Sequence, residues 1–293
     1  MSPAQELIRR GQPRAALAAL QQEVRAHPGD AKLRIFLFQL LCVLGQWQRA
    51  LGQLQVCAEL DNATLAMVAT YRDAVQCEAV REAVFAGRTT PIVFGPPPGW
   101  VAQLVQALQW QAEGRSAAAA AARAQALDAA PACAGRLDGT PFAWLADADS
   151  RLGPLLEVVM NGRYCWIPLE ALRRVAIEPP EDLRDLVWAP AHLTFSNGAE
   201  SVALIPTRYV QTAELGTDDE ALLMARRTDW LPLGASAVGA ADSAANAPGA
   251  TASTESTDAS AQYAGLGQRL LITDQGERGL LEVREIVFEA PAT

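Results

Sequence analysis

The sequence predicts an α+β chain, with helices in its front half and an antiparallel β-rich module behind them. Three observations point there. A glycine spacing recurs over residues 11–131, Asn-Gly pairs sit between apolar runs after residue 147, and the charge shifts between the halves. Residues 1–135 carry 12 basic and 10 acidic side chains, whereas residues 136–293 carry 12 and 23. Half of the residues are hydrophobic and 19% are charged, the balance of a globular protein rather than a disordered one.

Gly11 precedes Pro28, Gly45 precedes Asn62 and Gly114 precedes Pro131, each by 17 residues, and Gly11 and Gly45 are 34 apart. That is the period of a tetratricopeptide repeat. In GQWQRALGQL the glycine is followed by Trp47, Ala50 and Leu54. The matching positions of the first unit hold Pro13, Ala16 and Leu20, and those of the third hold Ser116, Ala119 and Arg123. Glycine turns the chain between antiparallel helices, alanine lets them approach, and Pro or Asn ends the second helix. The residues fit either a right-handed array of tetratricopeptide-like repeats over 1–135 or a plain helical bundle with glycine turns. Further helices are predicted from Leu33, over Gln48–Leu60, Ala63–Phe85 and Gly99–Ala112, and over the alanine-dense Arg115–Ala129. GPPPG from Gly95 lacks the lysine and hydroxyl of a phosphate loop and reads as a stiff connector.

In the back half, LLEVVMNGRYCWIPL and HLTFSNGAESVALIP each place Asn-Gly between apolar runs, the strongest short hairpin signal. RLLITDQGERGLLEVREIVF predicts a third hairpin turning near Gln275-Gly276. Short helices are expected over Leu169–Val175 and Asp218–Arg227, with Pro190 and Pro206 at strand edges or ends. The module over 136–293 should be an antiparallel sheet or small open barrel with one or two helices. Residues 235–262 are nearly all Ala, Ser, Thr, Gly, Asp and Asn, and are expected to form a disordered insertion inside it.

Composition also narrows function. An acidic module disfavours nucleic acid and anionic membrane as partners, no apolar run is long enough to span a bilayer, and the opening MSPAQELIRRGQPRAAL lacks the apolar core expected of a signal peptide. The cytoplasm is the expected location. Five cysteines without a C-x-x-C read as reduced side chains, most of them in apolar surroundings. His27 and His192 are the only histidines, no G-x-S-x-G surrounds a serine, and the spacing offers no metal site. No catalytic residue, cofactor or metal is expected. The polar residues of the back half that stand out are Asp149, Arg151, Arg184, Asp185, Arg208, Asp229, Gln268 and Arg269, with Trp188, Tyr209 and Trp230 nearby. They read as buried Arg–Asp pairs holding loop geometry. The competing reading makes Arg184, Asp185 and His192 the centre of a small hydrolase or transferase.

Several segments carry a family resemblance: FQLLCVLGQWQRALGQL from Phe38, DADSRLGPLLEVVMNGRYCWIP from Asp147, PEDLRDLVWAPA from Pro180 and IPTRY from Ile205. ARRTDW from Ala225, GLGQRLLITD from Gly265 and LLEVREI from Leu280 complete the set. In this order they resemble the ImpE/TagJ family, whose members are also called SciE-type virulence proteins. The match covers nearly the whole chain outside 235–262. Val210 stands where the family usually has proline after Arg-Tyr. The resemblance implies a non-enzymatic cytoplasmic adaptor of type VI secretion with tetratricopeptide-like helices in front. It further implies binding to a helix of the sheath's small subunit and a link to the AAA+ ATPase that recycles contracted sheaths. A chaperone that loads secreted effectors is the alternative client relationship. Trp47, Trp100 and Trp110 are the candidate anchors on the helical face for such a partner helix.

Overall fold

A computed structural model gives the structure of the chain and describes residues 2–216, 218–234 and 261–289. The front half is built from α1 (Pro3–Arg9), α2 (Pro13–Ala26), α3 (Ala31–Val43), α4 (Trp47–Leu60) and α5 (Leu65–Phe85). The two-residue β1 (Ile92–Val93), α6 (Gly99–Ala112) and α7 (Ser116–Ala129) follow. Gly11, Gly45 and Gly114 sit at the turns of the pairs α1/α2, α3/α4 and α6/α7, all with φ between 66° and 77°. At each, the glycine N–H bonds back three residues and the next N–H bonds back five, as from Gly45 to Cys42 and from Gln46 to Leu41. This is the Schellman C-cap, which needs the left-handed conformation that glycine adopts without strain. Pro28, Asn62 and Pro131 each fall one or two residues beyond a helix end.

The matched positions inside the pairs share one environment. Ala16, Ala50 and Ala119 are fully buried, as are Leu20 and Leu54, each leucine contributing roughly 1.5–3 kcal/mol. Arg123, which takes the corresponding place in the third pair, is also fully buried, with Nε 2.7 Å from Gln262 Oε1 and Nη2 3.2 Å from Gln111 Oε1. Burial lowers its guanidinium to about 10. Gln262, counted by composition into the insertion, is thus anchored to α7, where its amide also donates to the Ala120 carbonyl. The expected insertion otherwise lies outside the described residues.

The back half is a nine-stranded sheet with two smaller ones. Its strands are β2 (Gly135–Leu137), β3 (Thr140–Phe142), β4 (Leu145–Asp147), β5 (Leu155–Met160), β6 (Arg163–Pro168), β7 (Leu172–Ile177), β8 (Trp188–Phe195) and β9 (Glu200–Pro206). The short helices α8 (Thr212–Leu215) and α9 (Glu220–Leu223) precede β10 (Thr228–Pro232), β11 (Tyr263–Gly267), β12 (Leu270–Thr273), β13 (Gly276–Gly279) and β14 (Glu285–Phe288). The large sheet runs β1-β6-β5-β9-β8-β7-β14-β2-β3, antiparallel except for β1 beside β6. All three expected hairpins form. Asn161 and Gly162 both have positive φ in the two-residue turn between β5 and β6, as a type I′ turn requires. The third hairpin turns at Asp274-Gln275, one residue earlier than expected.

Three expectations need correction. Leu169–Val175 is a single 3-10 turn at Leu169–Ala171 that runs straight into β7, because the Arg-Arg-Val-Ala-Ile run alternates and pairs with β8 and β14. The helix expected over Asp218–Arg227 is only the four residues of α9. Pro190 lies inside β8, not at its end; β7 stops pairing beside it, and its carbonyl accepts from Glu178 N–H at 2.9 Å. The Asp138-Gly139 turn joining β2 to β3 went unread, although both residues have positive φ.

Alternation along the strands sorts the large sheet into two faces. Leu156, Val158, Met160, Cys165, Ile167 and Leu193 fill a core between the sheets. Leu155, Val159, Tyr164, Trp166, Trp188 and Leu204 face the other way and join the helices in one continuous apolar cluster. No helix among the described residues is long and apolar enough to cross a membrane.

Candidate functional site

The seam between helices and sheet is charged as well as apolar. Helix α5 buries a stripe at Val68, Tyr71, Val75, Glu78, Arg81 and Val84, so two charged residues occupy apolar-stripe positions. Arg81 Nε lies 2.8 Å from Glu157 Oε1 on β5, and its Nη1 lies 3.3 Å from Glu78 Oε2. Glu78 also accepts from Trp188 Nε1 at 2.8 Å. Arg269 bonds Glu157 at 2.9 Å and Asp147 at 2.6 Å, while Tyr164 OH bonds Glu157 and accepts from Trp166 Nε1. Burial alone would raise the Glu157 carboxyl, but Arg81 and Arg269 outweigh it and hold the group at about 2. Asp147 goes the other way, to about 6, because burial and the neighbouring Asp149 exceed the pull of Arg269.

The residues singled out from sequence belong to this framework and its margins. Asp149 holds Arg151 in a two-pronged pair at 2.9 and 2.6 Å and accepts from Gly265 N–H, and the Arg151 guanidinium lies over the Phe85 ring. Arg208 is buried and donates to the carbonyls of Cys42 and Val43, at the C-terminus of α3, and of Leu223. The negative end of the helix dipole stands in there for a carboxylate. Tyr209 packs against Gly265 and beside Trp230, and Gln268 ties Ala225 to Leu281. Asp229 lies apart, exposed and paired with Arg227 at 3.0 Å. Arg184 lies over the Tyr71 ring beside Asp182, with Asp185 at 3.9 Å; Asp185 is buried and accepts from the N–H groups of Glu181 and Asp182.

His192 does not meet Arg184 and Asp185. Its side chain is 63% exposed, with Glu178 Oε1 at 3.7 Å, and it lines a separate cleft of about 400 Å³ between α5 and β8/β9 with Tyr71, Asp73 and Val202. Among the described residues no group of three or more His, Cys, Asp or Glu side chains is placed to hold a metal ion. The polar residues of the seam are thus paired mainly with one another and with the backbone, and His192 lies apart from them. Sequence reasoning missed Glu78, Arg81 and Glu157, the middle of the relay. The available signal was charge on a buried stripe of α5 and one carboxylate inside the apolar run LLEVVM.

The helices carry an open groove of their own. A groove of about 520 Å³ runs between α4 and α5, lined by Trp47, Leu51, Val75 and Ala79, with Gln76, Arg49 and Glu82 at its borders. Trp47 is half-buried: its ring packs 5.8 Å from that of Trp188, and its Nε1 donates to Glu82 at 3.2 Å. Of the other two tryptophans, Trp100 is buried in the core of α6 and cannot anchor a partner as placed. Trp110 lies away from the groove, half-buried under the Arg115 guanidinium at 4.7 Å.

Comparison with known proteins agrees over this whole arrangement. Residues 139–242 match the model of the ImpE protein family. The chain is 50% identical over 286 residues to the type VI secretion system accessory component TagJ of Pseudomonas aeruginosa, covering 98% of this chain and 91% of that protein. The crystal structure of protein VPA1032 from Vibrio parahaemolyticus shares the fold with a TM-score of 0.80 and 21% identity, over 98% of this chain and 97% of that one. Identity at that level along nearly the full length makes this chain a member of the ImpE/TagJ family.

Proposed function

We propose that this protein is a cytoplasmic accessory component of a type VI secretion system that acts by binding and catalyses no reaction. Its tetratricopeptide-like helices, residues 1–135, serve as the receptor, and the module over 136–293 serves as the brace. In this reading the α4/α5 groove receives a helix of the sheath's small subunit, and the complex is linked to the AAA+ ATPase that recycles contracted sheaths. The observation that carries the reading is the groove itself. It is apolar, open and about 520 Å³, and it has an aromatic residue fixed at one end by the sheet behind it. An amphipathic helix places residues i, i+3, i+4 and i+7 in such a groove. The Arg269–Asp147 and Arg151–Asp149 pairs and the backbone contacts of Asp185 favour a binding role, because these groups are already committed within the fold.

The test is fluorescence anisotropy with the full-length protein and a labelled peptide spanning the small sheath subunit's helix. Ala79, exposed in the groove wall, is changed to arginine. The reading expects binding by the parent protein and a loss of at least tenfold in the A79R variant. Equal affinity in the two proteins would remove the groove from the account.

A further inference from the structure

We infer that the groove selects a helix carrying a lysine or arginine next to its apolar stripe, because Glu82 and Glu214 stand at its Trp47 end with no basic side chain paired to either among the described residues. This inference rests on the groove reading above and specifies its partner. The charge comes from Glu82 on α5 and Glu214 on α8. Gly45, at the head of α4, packs against Ala213, which brings α8 to that end of the groove. Glu82 and Glu214 both line a small cavity there, and Trp47 and Glu82 are shared between that cavity and the open groove. Among the described residues no basic group lies within ion-pair distance of either carboxylate. Among the described residues the hydrogen bond that Glu82 accepts comes from the neutral N–H of Trp47, and Arg81 acts on it only through space. Burial, then Glu214 and Glu78, raise its carboxyl above the usual range, a cost the free protein carries.

The other charges facing the site relieve it only in part. Arg81, next in the chain, is turned inward to Glu157 and Glu78, and Arg208 is spent on the carbonyls of α3 and α9. Arg49 borders the groove but is exposed and turned to the Gln46 side chain. A cation delivered by the partner would meet two carboxylates in a site partly removed from water, where the pair is screened less than on an open surface. Leu215, 56% exposed beside Glu214, offers apolar surface for the cation's methylene stem.

The experiment uses full-length protein and an array of helical peptides tiled across the proteins of a type VI cluster. It compares the parent with A79R, E82Q, E214Q and the double glutamine variant. Peptides sensitive to A79R define groove binders. The inference expects these to carry a lysine or arginine whose replacement by norleucine weakens binding about tenfold in the parent and not at all in the double glutamine variant. It also expects the double variant to lose most of the salt dependence. Groove binders unaffected by E82Q/E214Q would overturn the inference and leave the groove standing. An array with no A79R-sensitive peptide would overturn both. Glu214 is exposed, so E214Q alone remains informative if changes at Glu82 disturb the fold.

Discussion

Arg81 of α5 and Glu157 of β5 form an ion pair across the helix–sheet seam, Nε to Oε1 2.8 Å, with side chains 5% and 0% exposed. Every other link of the relay is reached through one of these two residues. Removing Glu157 takes a buried partner from both Arg81 and Arg269, leaving them only Glu78 and Asp147, and breaking a buried pair typically costs about 3–5 kcal/mol. Glu157→Gln should therefore lower the unfolding free energy by about that much. The double change Arg81→Met, Glu157→Leu should cost clearly less than the sum of the singles. Chemical denaturation of the four proteins checks both, and additive losses would mean that the pair is not coupled.

The two carboxylates of the relay respond to acid in opposite senses. Glu157 titrates at about 2 in the fold and ordinarily near 4.5, so its contribution is present above pH 4.5 and lost as pH falls toward 2. Asp147 is raised from 3.8 to about 6, so its contribution is full below pH 3.8 and lost as pH rises through 6. Together they favour the fold most at about pH 4–5. Stability measured from pH 2 to 7 should show the acid-side loss in the parent and a shallower one in Glu157→Gln. An unchanged slope would place the acid sensitivity elsewhere.

Two turn glycines with the same backbone should differ in cost. Gly45 and Gly114 have φ of 66° and 75°, but a Cβ at Gly45 would overlap that of Ala213, whereas one at Gly114 meets nothing within 4 Å. Gly114→Ala should cost only the left-handed strain, on the order of 1–2 kcal/mol. Gly45→Ala should cost more, and it should also perturb groove binding, because α8 must move. Thermal melts of both variants decide this, and equal losses would show that the Gly45–Ala213 contact is soft.

His192→Ala should leave stability within about 0.5 kcal/mol of the parent, since the side chain is exposed and its ion-pair neighbour among the described residues is Glu178 at 3.7 Å. A large loss would indicate that the cleft beside α5 is more tightly built than its openness implies.

Local signals were legible in the sequence because each has a local cause. Glycine at 11, 45 and 114 announces a left-handed cap, and Asn161-Gly162 announces a primed turn; neither depends on what lies across the molecule. The ends of α6 and α7 followed from Pro98, Gly114 and Pro131. The relay was not legible, because Arg81 and Glu157 are 76 residues apart and each looks like an ordinary charge in its own segment. Arg208 and Arg269 stood out as polar residues in distinctive motifs, but their partners on α3 and β5 come only from the fold. Trp100 misled for the related reason that a tryptophan on a helix can face the core as readily as a partner.

The most direct test of the central claim is site-specific photocrosslinking in cells that assemble a type VI apparatus. A benzophenone amino acid replaces Gln76, exposed on the wall of the α4/α5 groove, or Val202, 65% exposed on the opposite side of α5. The account expects the Gln76 position to capture the small sheath subunit through its helix, and the Val202 position not to. Capture of that subunit from Val202 alone would contradict it.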